Sequence, residues 1–211
     1  LVFFLTGLAY GLAQDNRTAV DKWEADYIVL SKDSNTNLGM SMITKKTAEE
    51  VKGGEVAYLA QTPGVVTSKD NKDAGKINVS FFGIDPSQFL MPKLVEGKEF
   101  SGNDEAVGDI SLKEEYGLKI GDTVKLSGSD KTFKLTGFTE NAKFNVSPVL
   151  YTTLDAYQEI RFEKTDTSEN ARINAVVVRG SVDKMPDDLE KISIAKFINE
   201  LPGYNAQVLT F

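Results

Sequence analysis

Apolar residues fill most of positions 1–13, whereas apolar and polar residues mix in short runs from position 14 onward. Thirteen residues of helix are about 20 Å long, too short for a hydrocarbon core of about 30 Å. We interpret 1–13 as the outer end of a transmembrane helix and 14–23 as a helical stalk that continues it. Two alternatives stay open: a secretory signal peptide, whose basic n-region is missing, and a buried core helix.

Runs of β-branched and aromatic residues follow the stalk and predict a first group of strands. In chain order these strands are 25–31, 38–43, 55–61, 65–68 and 76–84. We expect the Pro63-Gly64 pair to interrupt the strand in which it lies. A capping box of Thr47 and Glu50 predicts one helix over 47–52, which the glycine pair at 53–54 should end.

The pattern changes at residue 85. Segment 85–100 holds two prolines and has little periodicity, which indicates a connector. A second capping box, Ser111 with Glu114, predicts a short helix over 111–116, and Gly117 supplies the left-handed residue after it. The remaining elements are predicted, in order, as a hairpin of strands 123–126 and 132–138, strand 149–152, helix 152–162, strand 172–179, amphipathic helix 187–201 and strand 206–211.

The order strand–helix–strand occurs at both ends of this series, with short strands between. It predicts an α+β domain in which two outer units pack together and a β-rich segment is inserted between them. We place the outer subdomain at 24–85 and 171–211 and the inserted subdomain at 86–170. The first and last strands would then bring both chain ends to one face, as a chain that enters from one membrane helix and leaves into another requires.

Composition narrows the possible functions. The chain has a net charge of −7 and a pI near 4.8, and an acidic surface disfavours nucleic-acid binding because it repels phosphate. It contains no Cys and no His, which excludes disulfides and any catalytic triad or dyad built on those residues. No P-loop is present, so ATP hydrolysis by this chain is disfavoured.

Acidic clusters are the first remaining candidates for chemistry. Asp104, Glu105 and Asp109 form one group and a second lies at 183–190, but neither has the spacing of a calcium-binding loop. We interpret both as solvated charge or as charge at helix N-termini. A secreted carbohydrate-active or peptidase enzyme with paired carboxylates is an alternative, which would need two carboxyl groups converging in a cleft.

Aromatic residues are the second group of candidates. Trp23 is interpreted as a packing residue between the stalk and the domain, in preference to a membrane-interface anchor. The apolar residues at 81–82 and 89–91 are interpreted as core, in preference to a ligand groove. The sequence therefore predicts no catalytic, cofactor-binding or metal-binding residue.

Several short motifs follow one another in a recognisable order. They are LVEGKEF at 94–100, SLK at 111–113, YGLKIGDTV at 116–124, LTGF at 135–138 and SPVLY at 147–151. Their order and spacing resemble the extracytoplasmic core domain of MacB/FtsX-type ABC transporter permeases. FLTGLAYGLAQDN at 4–16 resembles the end of that family's first transmembrane helix, and ADYIVLS at 25–31 the strand after it. The resemblance covers nearly the whole chain and is stronger to Gram-positive members.

The resemblance implies a fold, a location and partners. The domain would lie on the extracytoplasmic side of the cell membrane, between the first and second transmembrane helices, with a porter-like subdomain of two βαβ units and an inserted small β-rich, Sabre-like subdomain. It would not be an enzyme and would need no cofactor. The permease would form a homodimer that an ATP-binding cassette subunit drives. ATP hydrolysis would be coupled either to export of a substrate or to mechanotransmission, in which motion acts on an accessory protein outside the membrane. The alternative is a membrane-anchored binding or sensor module outside any transporter.

Overall fold

A computed structural model describes residues 15–201 of the chain as an α+β fold. The strands are β1 (Tyr27–Ser31), β2 (Ile43–Thr44), β3 (Lys52–Ser68), β4 (Lys76–Ile84), β5 (Glu96–Gly97), β6 (Glu105–Asp109), β7 (Thr123–Leu126), β8 (Thr132–Thr139), β9 (Lys143–Phe144), β10 (Ser147–Thr153), β11 (Arg172–Ile173), β12 (Ala175–Lys184) and β13 (Leu189–Ser193). The helices are α1 (Thr18–Asp21), α2 (Lys45–Glu49), α3 (Ser111–Glu114), α4 (Leu154–Phe162) and α5 (Ile194–Asn199), with 3-10 turns at Lys32–Ser34, Leu38–Met40 and Lys72–Ala74. The predicted fold class is confirmed.

One mixed sheet connects most of these strands. Its order is β13-β1-β12-β3-β4-β10-β6-β8-β5, while β2 and β11 form a separate small pair. The pairs β4–β10 and β6–β8 are parallel, and the other pairs in this order are antiparallel.

Part of the sheet closes on itself. Strand β7 pairs with β8 on one side and with the end of β3 on the other, at Val66–Leu126, Thr67–Lys125 and Ser68–Val124. The ring β3-β4-β10-β6-β8-β7 is therefore a closed six-stranded barrel, which leaves these strands without a free edge along the closure. The inserted segment thus completes its sheet with the C-terminal part of β3 and with β4. The N-terminal part of β3 pairs with β12 and belongs to the open sheet.

The prediction that Pro63-Gly64 interrupts a strand is wrong, because β3 runs through both residues. The backbone N–H of Gln61 points away from β4, since it donates to Asn174 Oδ1 at 2.9 Å. Pro63 is two residues further along β3, so its nitrogen faces the same side. On that side the pairing of β3 with β12 has already ended at this point and its pairing with β7 has not yet begun. No ladder hydrogen bond is lost there, so proline is tolerated.

Both faces of the open sheet are buried. Alternate residues of β1 divide between two hydrophobic clusters: Ile28 and Leu30 face one side and Val29 the other. The first side is covered by Trp23 and helix α5, and the second by helix α2 and by Tyr157 of α4. A third cluster is built mainly from the barrel strands.

Three predicted elements near the N-terminal end are wrong in detail. Among the described stalk residues 15–23, Asp15 is helical, a turn follows at 16–17, and Thr18–Asp21 forms the single helical turn α1, which the chain leaves through Glu24 at φ +49°. Residues 38–40 form a 3-10 turn capped by Asn37, and strand pairing begins only at β2. The helix predicted over 47–52 begins earlier, because Thr44 and not Thr47 is its N-cap, accepting the Thr47 N–H at 3.1 Å.

The glycines at 53–54 do not end that helix but lie in β3. A Cβ on Gly53 would meet the carbonyl oxygen of Ser181, and one on Gly54 that of Arg179. Close approach of two strand backbones, and not a helix terminus, therefore requires glycine at both positions.

The amphipathic helix predicted over 187–201 is half strand. Leu189–Ser193 forms β13 against β1, and the helix starts only after Ser193, whose hydroxyl accepts the Lys196 N–H at 3.2 Å. Buried Leu189 and Ile192 fit the threefold spacing by coincidence, because a strand end adjoins a helix start.

In the middle of the chain, helix 111–116 is confirmed as α3, but its N-cap is Ile110; Ser111 donates its N–H to Asp109 at 3.1 Å.

Other predicted elements are confirmed: strands 25–31 and 76–84, the 123–138 hairpin, strand 149–152, helix 152–162 and the left-handed Gly117 at φ +73°. The apolar segment 1–13 and strand 206–211 lie outside the described residues. The subdomain boundaries at 24–85, 86–170 and 171–211 stay a prediction.

Candidate functional site at the two chain ends

The N-terminal end of the described chain is attached to the hairpin of β9 and β10. The backbone N–H of Val146 donates to the carbonyl oxygen of Asp15 at 3.2 Å. The hydroxyl of Thr18 accepts the Lys143 N–H at 2.8 Å and lies 3.3 Å from the Lys143 carbonyl oxygen, to which it can donate. Residues 15–18 therefore follow the hairpin over its full length.

The C-terminal end reaches the same hairpin. Phe144 and Asn145 line a cavity of about 230 Å³ together with Phe197, Glu200 and Leu201. We call the hairpin 143–147, with residues 15–18 and 197–201 beside it, the terminal face. It joins the two points at which the chain continues beyond the described residues.

Charge also connects the N-terminal end to the terminal face. The ammonium group of Lys143 lies 3.7 Å from a carboxylate oxygen of Asp15 and 3.4 Å from one of Glu115. Burial of Lys143 opposes its charge, but these two carboxylates outweigh it and raise the pKa of the lysine above its ordinary value. Lys143 thus stays protonated and links residue 15, the hairpin and the segment after α3.

Aromatic side chains lie behind the terminal face and connect its parts. The ring centroid of Phe82, in the middle of β4, is 6.3 Å from that of Trp23, 5.5 Å from Phe144 and 5.7 Å from Tyr151. Trp23 also stacks on Phe197 of α5 at 6.4 Å. Each of these five side chains is at most 2% exposed. Trp23 is confirmed as a packing residue that holds the N-terminal segment against the sheet, and Phe82 as core.

The tip of the hairpin has a strained backbone. Phe144 pairs with Ser147, so Asn145 and Val146 form a two-residue loop, and their φ angles are +50° and +59°. Such a loop favours Asn-Gly, and valine is disfavoured at positive φ because its branched Cβ crowds the backbone. Val146 is also 47% exposed. A strained, exposed apolar residue beside the chain end is the kind of outlier that occurs at functional positions.

Replacing Val146 with glycine is expected to stabilise the fold by about 0.5–1 kcal/mol, because relief of the left-handed strain exceeds the entropy cost of glycine. Val95 is a matched control: it is 51% exposed, has no positive φ, and should lose stability as glycine. Urea unfolding of the two variants measures the difference. A destabilised Val146→Gly would show that the turn is not strained.

The three acidic residues of the first group are each held by separate structural partners, and so is Asp183 of the second. Asp104 pairs with Lys131 at 2.8 Å, Glu105 accepts the Ser101 N–H at 2.8 Å, and Asp109 accepts two backbone N–H groups. In the second group, Asp183 accepts from a neighbouring serine hydroxyl at 2.7 Å. Nowhere in residues 15–201 do three such side chains come close enough to hold a metal ion.

The hairpin at 143–147 is hard to predict from the sequence. The motif Asn145-Val146-Ser147 lies between predicted elements, because the sequence predicts the next strand only from residue 149. The signal for a turn here is Asn145, since asparagine is a common turn former and this one lies between two short runs that contain apolar residues. Among residues 15–201 there is also no helix long and apolar enough to cross a bilayer.

No protein-family model matches the chain. Two curated proteins, both named hemin transport system permease protein HrtB, are similar to it. The one from Staphylococcus haemolyticus is 22% identical over 165 residues, 76% of this chain and 44% of that protein. The one from Staphylococcus epidermidis is 25% identical over 151 residues, 71% of this chain and 41% of that protein. The chain therefore spans less than half the length of the curated relatives that it matches.

Solved structures give the fold. The periplasmic region of MacB from Actinobacillus actinomycetemcomitans superposes with a TM-score of 0.56 at 13% identity, covering 82% of this chain and 90% of that one. A domain from Porphyromonas gingivalis, described as belonging to a permease protein, gives a TM-score of 0.50 at 16% identity and 79% coverage of both chains. The chain has the fold of the MacB periplasmic region, and the resemblance inferred from its motifs is confirmed.

Proposed function

We propose that this chain is the extracytoplasmic domain of an ABC transporter permease and that it transmits motion from the membrane helices. The main support is the position of the two described ends. Asp15 and Leu201 both lie at the terminal face, so flanking helices on either side could act on one edge of the fold. The MacB-like fold and the permease names of the relatives agree with this role.

The sheet suggests how the motion passes outward. Strand β3 spans 17 residues and pairs with the open sheet at one end and with the barrel at the other. A continuous strand resists bending between its two partners, so we propose that the described residues move as one rigid body. The barrel tip would then amplify a small rotation applied at the terminal face.

The remaining components follow from this proposal. An ATP-binding cassette subunit supplies the energy, since this chain has no P-loop. A second permease copy provides the surface against which the domain moves, and the domain itself performs no catalysis. The exported substrate, or the accessory protein that is moved, contacts the assembly outside the membrane.

Two insertions test the rigid coupling in the complete permease with its ATP-binding subunit. A Gly-Ser segment placed between Gln14 and Asp15 should uncouple the domain from the membrane, whereas the same segment at the exposed Gly128 of the β7–β8 turn should be tolerated. Spin labels at Ser127→Cys in the two copies report the distance between barrel tips. We expect the distance to change when vanadate traps the ADP left by ATP hydrolysis. The first insertion should abolish that change, although the same variant still hydrolyses ATP when vanadate is absent. An unaffected distance change would refute rigid coupling.

A further inference from the structure

A pocket of about 380 Å³ lies between the residues that follow α1 and the connector 85–100. It is lined by Lys22, Trp23, Glu24, the segment 89–93, Tyr151 and Arg179. Its volume is within the range of about 300–1,000 Å³ that small-molecule sites occupy. The terminal face and its hairpin do not contribute to it.

The residues that form the floor of this pocket are apolar or aromatic. Trp23, Leu90 and Tyr151 are each at most 3% exposed, and half-buried Phe89 and Met91 pack on the same cluster. The indole Nε1 of Trp23 is buried and has no acceptor among residues 15–201. This N–H has almost no accessible surface, so it lies behind the floor, and the pocket offers a ligand apolar ring surface and not this donor.

The rim of the pocket is positive although the chain is acidic overall. Lys22, Lys93 and Arg179 line it, against one carboxylate, that of Glu24. Within residues 15–201, none of the three cations has a carboxylate oxygen within ion-pairing distance. Burial lowers the pKa of Lys22, an effect larger than the opposing charges of Glu140 and Asp109. An anion in the pocket would therefore relieve a desolvated ammonium group.

The guanidinium of Arg179 is held in a fixed position. Its Nε donates to the carbonyl oxygen of Trp23 at 3.0 Å, and its Cζ lies 4.3 Å from the ring centroid of Phe89. The stack uses the face of the guanidinium and leaves its terminal N–H groups available at the rim. Fixed donors lose little entropy when they bind an anion.

We propose that this pocket binds a small amphipathic anion, an apolar body that carries one carboxylate or phosphate group. The apolar body lies against half-buried Phe89 and Met91, above the floor of Trp23, Leu90 and Tyr151, where it replaces water on the apolar surface. The anionic group lies at the rim between Lys22, Lys93 and Arg179, with charge-assisted hydrogen bonds. This site is separate from the transport role and does not depend on it.

The chain contains a single tryptophan, so Trp23 fluorescence reports on the pocket directly. The 211-residue chain is titrated with phenylbutyrate and with phenylbutyl phosphate, which share a body and differ in the anion. Phenylbutanol, with the same body and no charge, and acetate, with the charge and no body, are the controls. We expect a saturable fluorescence change with at least one of the two amphipathic anions and none with either control at equal concentration.

Two charge-removing variants test the rim. Lys22→Gln and Lys93→Gln should each weaken the anion about tenfold, the effect of losing one charge-assisted hydrogen bond. Lys98→Gln, an exposed lysine outside the pocket, should leave the affinity unchanged and controls for overall charge. Far-UV circular dichroism establishes that the variants are folded.

Three results would overturn the proposal. An equal response to phenylbutanol would indicate plain apolar partition, and an equal response to acetate would indicate an anion site without an apolar part. Unchanged affinity in folded Lys22→Gln and Lys93→Gln would place the ligand elsewhere. A response to the phosphate alone assigns the site to phosphorylated ligands, and a response to the carboxylate alone assigns it to organic acids.

Discussion

Replacing Trp23 with alanine is expected to lower the free energy of unfolding by about 3–5 kcal/mol, the usual cost of removing a buried aromatic side chain. Trp23 is 2% exposed and packs against Phe82 and Phe197. Its removal leaves a cavity between the N-terminal segment, the sheet and α5. Because Nε1 makes no hydrogen bond within the described residues, the loss is one of packing.

Trp23→Phe is the matched control for that prediction. Phenylalanine keeps most of the apolar volume and leaves no unpaired polar atom, so it should lose less than half as much stability as alanine. Guanidinium unfolding followed by circular dichroism measures both variants without relying on tryptophan fluorescence. Equal losses in the two variants, or a negligible loss in Trp23→Ala, would mean that Trp23 does not anchor the N-terminal segment.

The second large effect is expected at Asn174, between β11 and β12. Its buried side-chain amide donates to the carbonyl oxygens of Leu38 and Ser41, both at 3.1 Å, and its Oδ1 accepts the Gln61 N–H at 2.9 Å. Asn174→Ala would leave two buried backbone groups without partners, the carbonyl of Ser41 and the N–H of Gln61, whereas the Leu38 carbonyl oxygen would keep the N–H of Ser41. At about 1–3 kcal/mol for each unsatisfied group, partly recovered by water, we expect a total loss of about 2–4 kcal/mol.

Exposed Asn78 on β4 provides the comparison, because Asn78→Ala should change stability by no more than about 0.5 kcal/mol. Urea denaturation, followed by Trp23 fluorescence, gives both values. Equal losses of stability in Asn174→Ala and Asn78→Ala would show that the Asn174 amide does not hold the 3-10 turn at Leu38–Met40 against β3.

The elements that could be predicted are those whose pattern is local. Strand β4 alternates along its own length, and the β7–β8 hairpin has a short turn rich in Ser, Gly and Asp between alternating strands. Helix starts are harder to predict, because Thr44 and Thr47 are equally good caps in isolation and only the packing of β2 against β11 selects the first.

Features that depend on distant residues could not be predicted. Closure of the barrel requires β7 to pair with the end of β3, more than 50 residues earlier in the chain, and neither strand encodes that register by itself. Continuity of β3 through Pro63 depends on a gap between two other strands. The terminal face and the pocket at Trp23 are likewise assembled from segments far apart in the sequence, although the packing role of Trp23 itself was predictable.

The location of the domain can be measured in intact cells by cysteine labelling, because these 211 residues contain no native cysteine and any cysteine elsewhere in the permease can be replaced. Ser127→Cys places a thiol at the exposed barrel tip, and Ser80→Cys, at 3% exposure, is a buried control. In the complete permease, a membrane-impermeant maleimide should label Ser127→Cys before lysis and should label Ser80→Cys only after denaturation. Labelling of Ser127→Cys that appears only after lysis would place the domain in the cytoplasm and contradict the account.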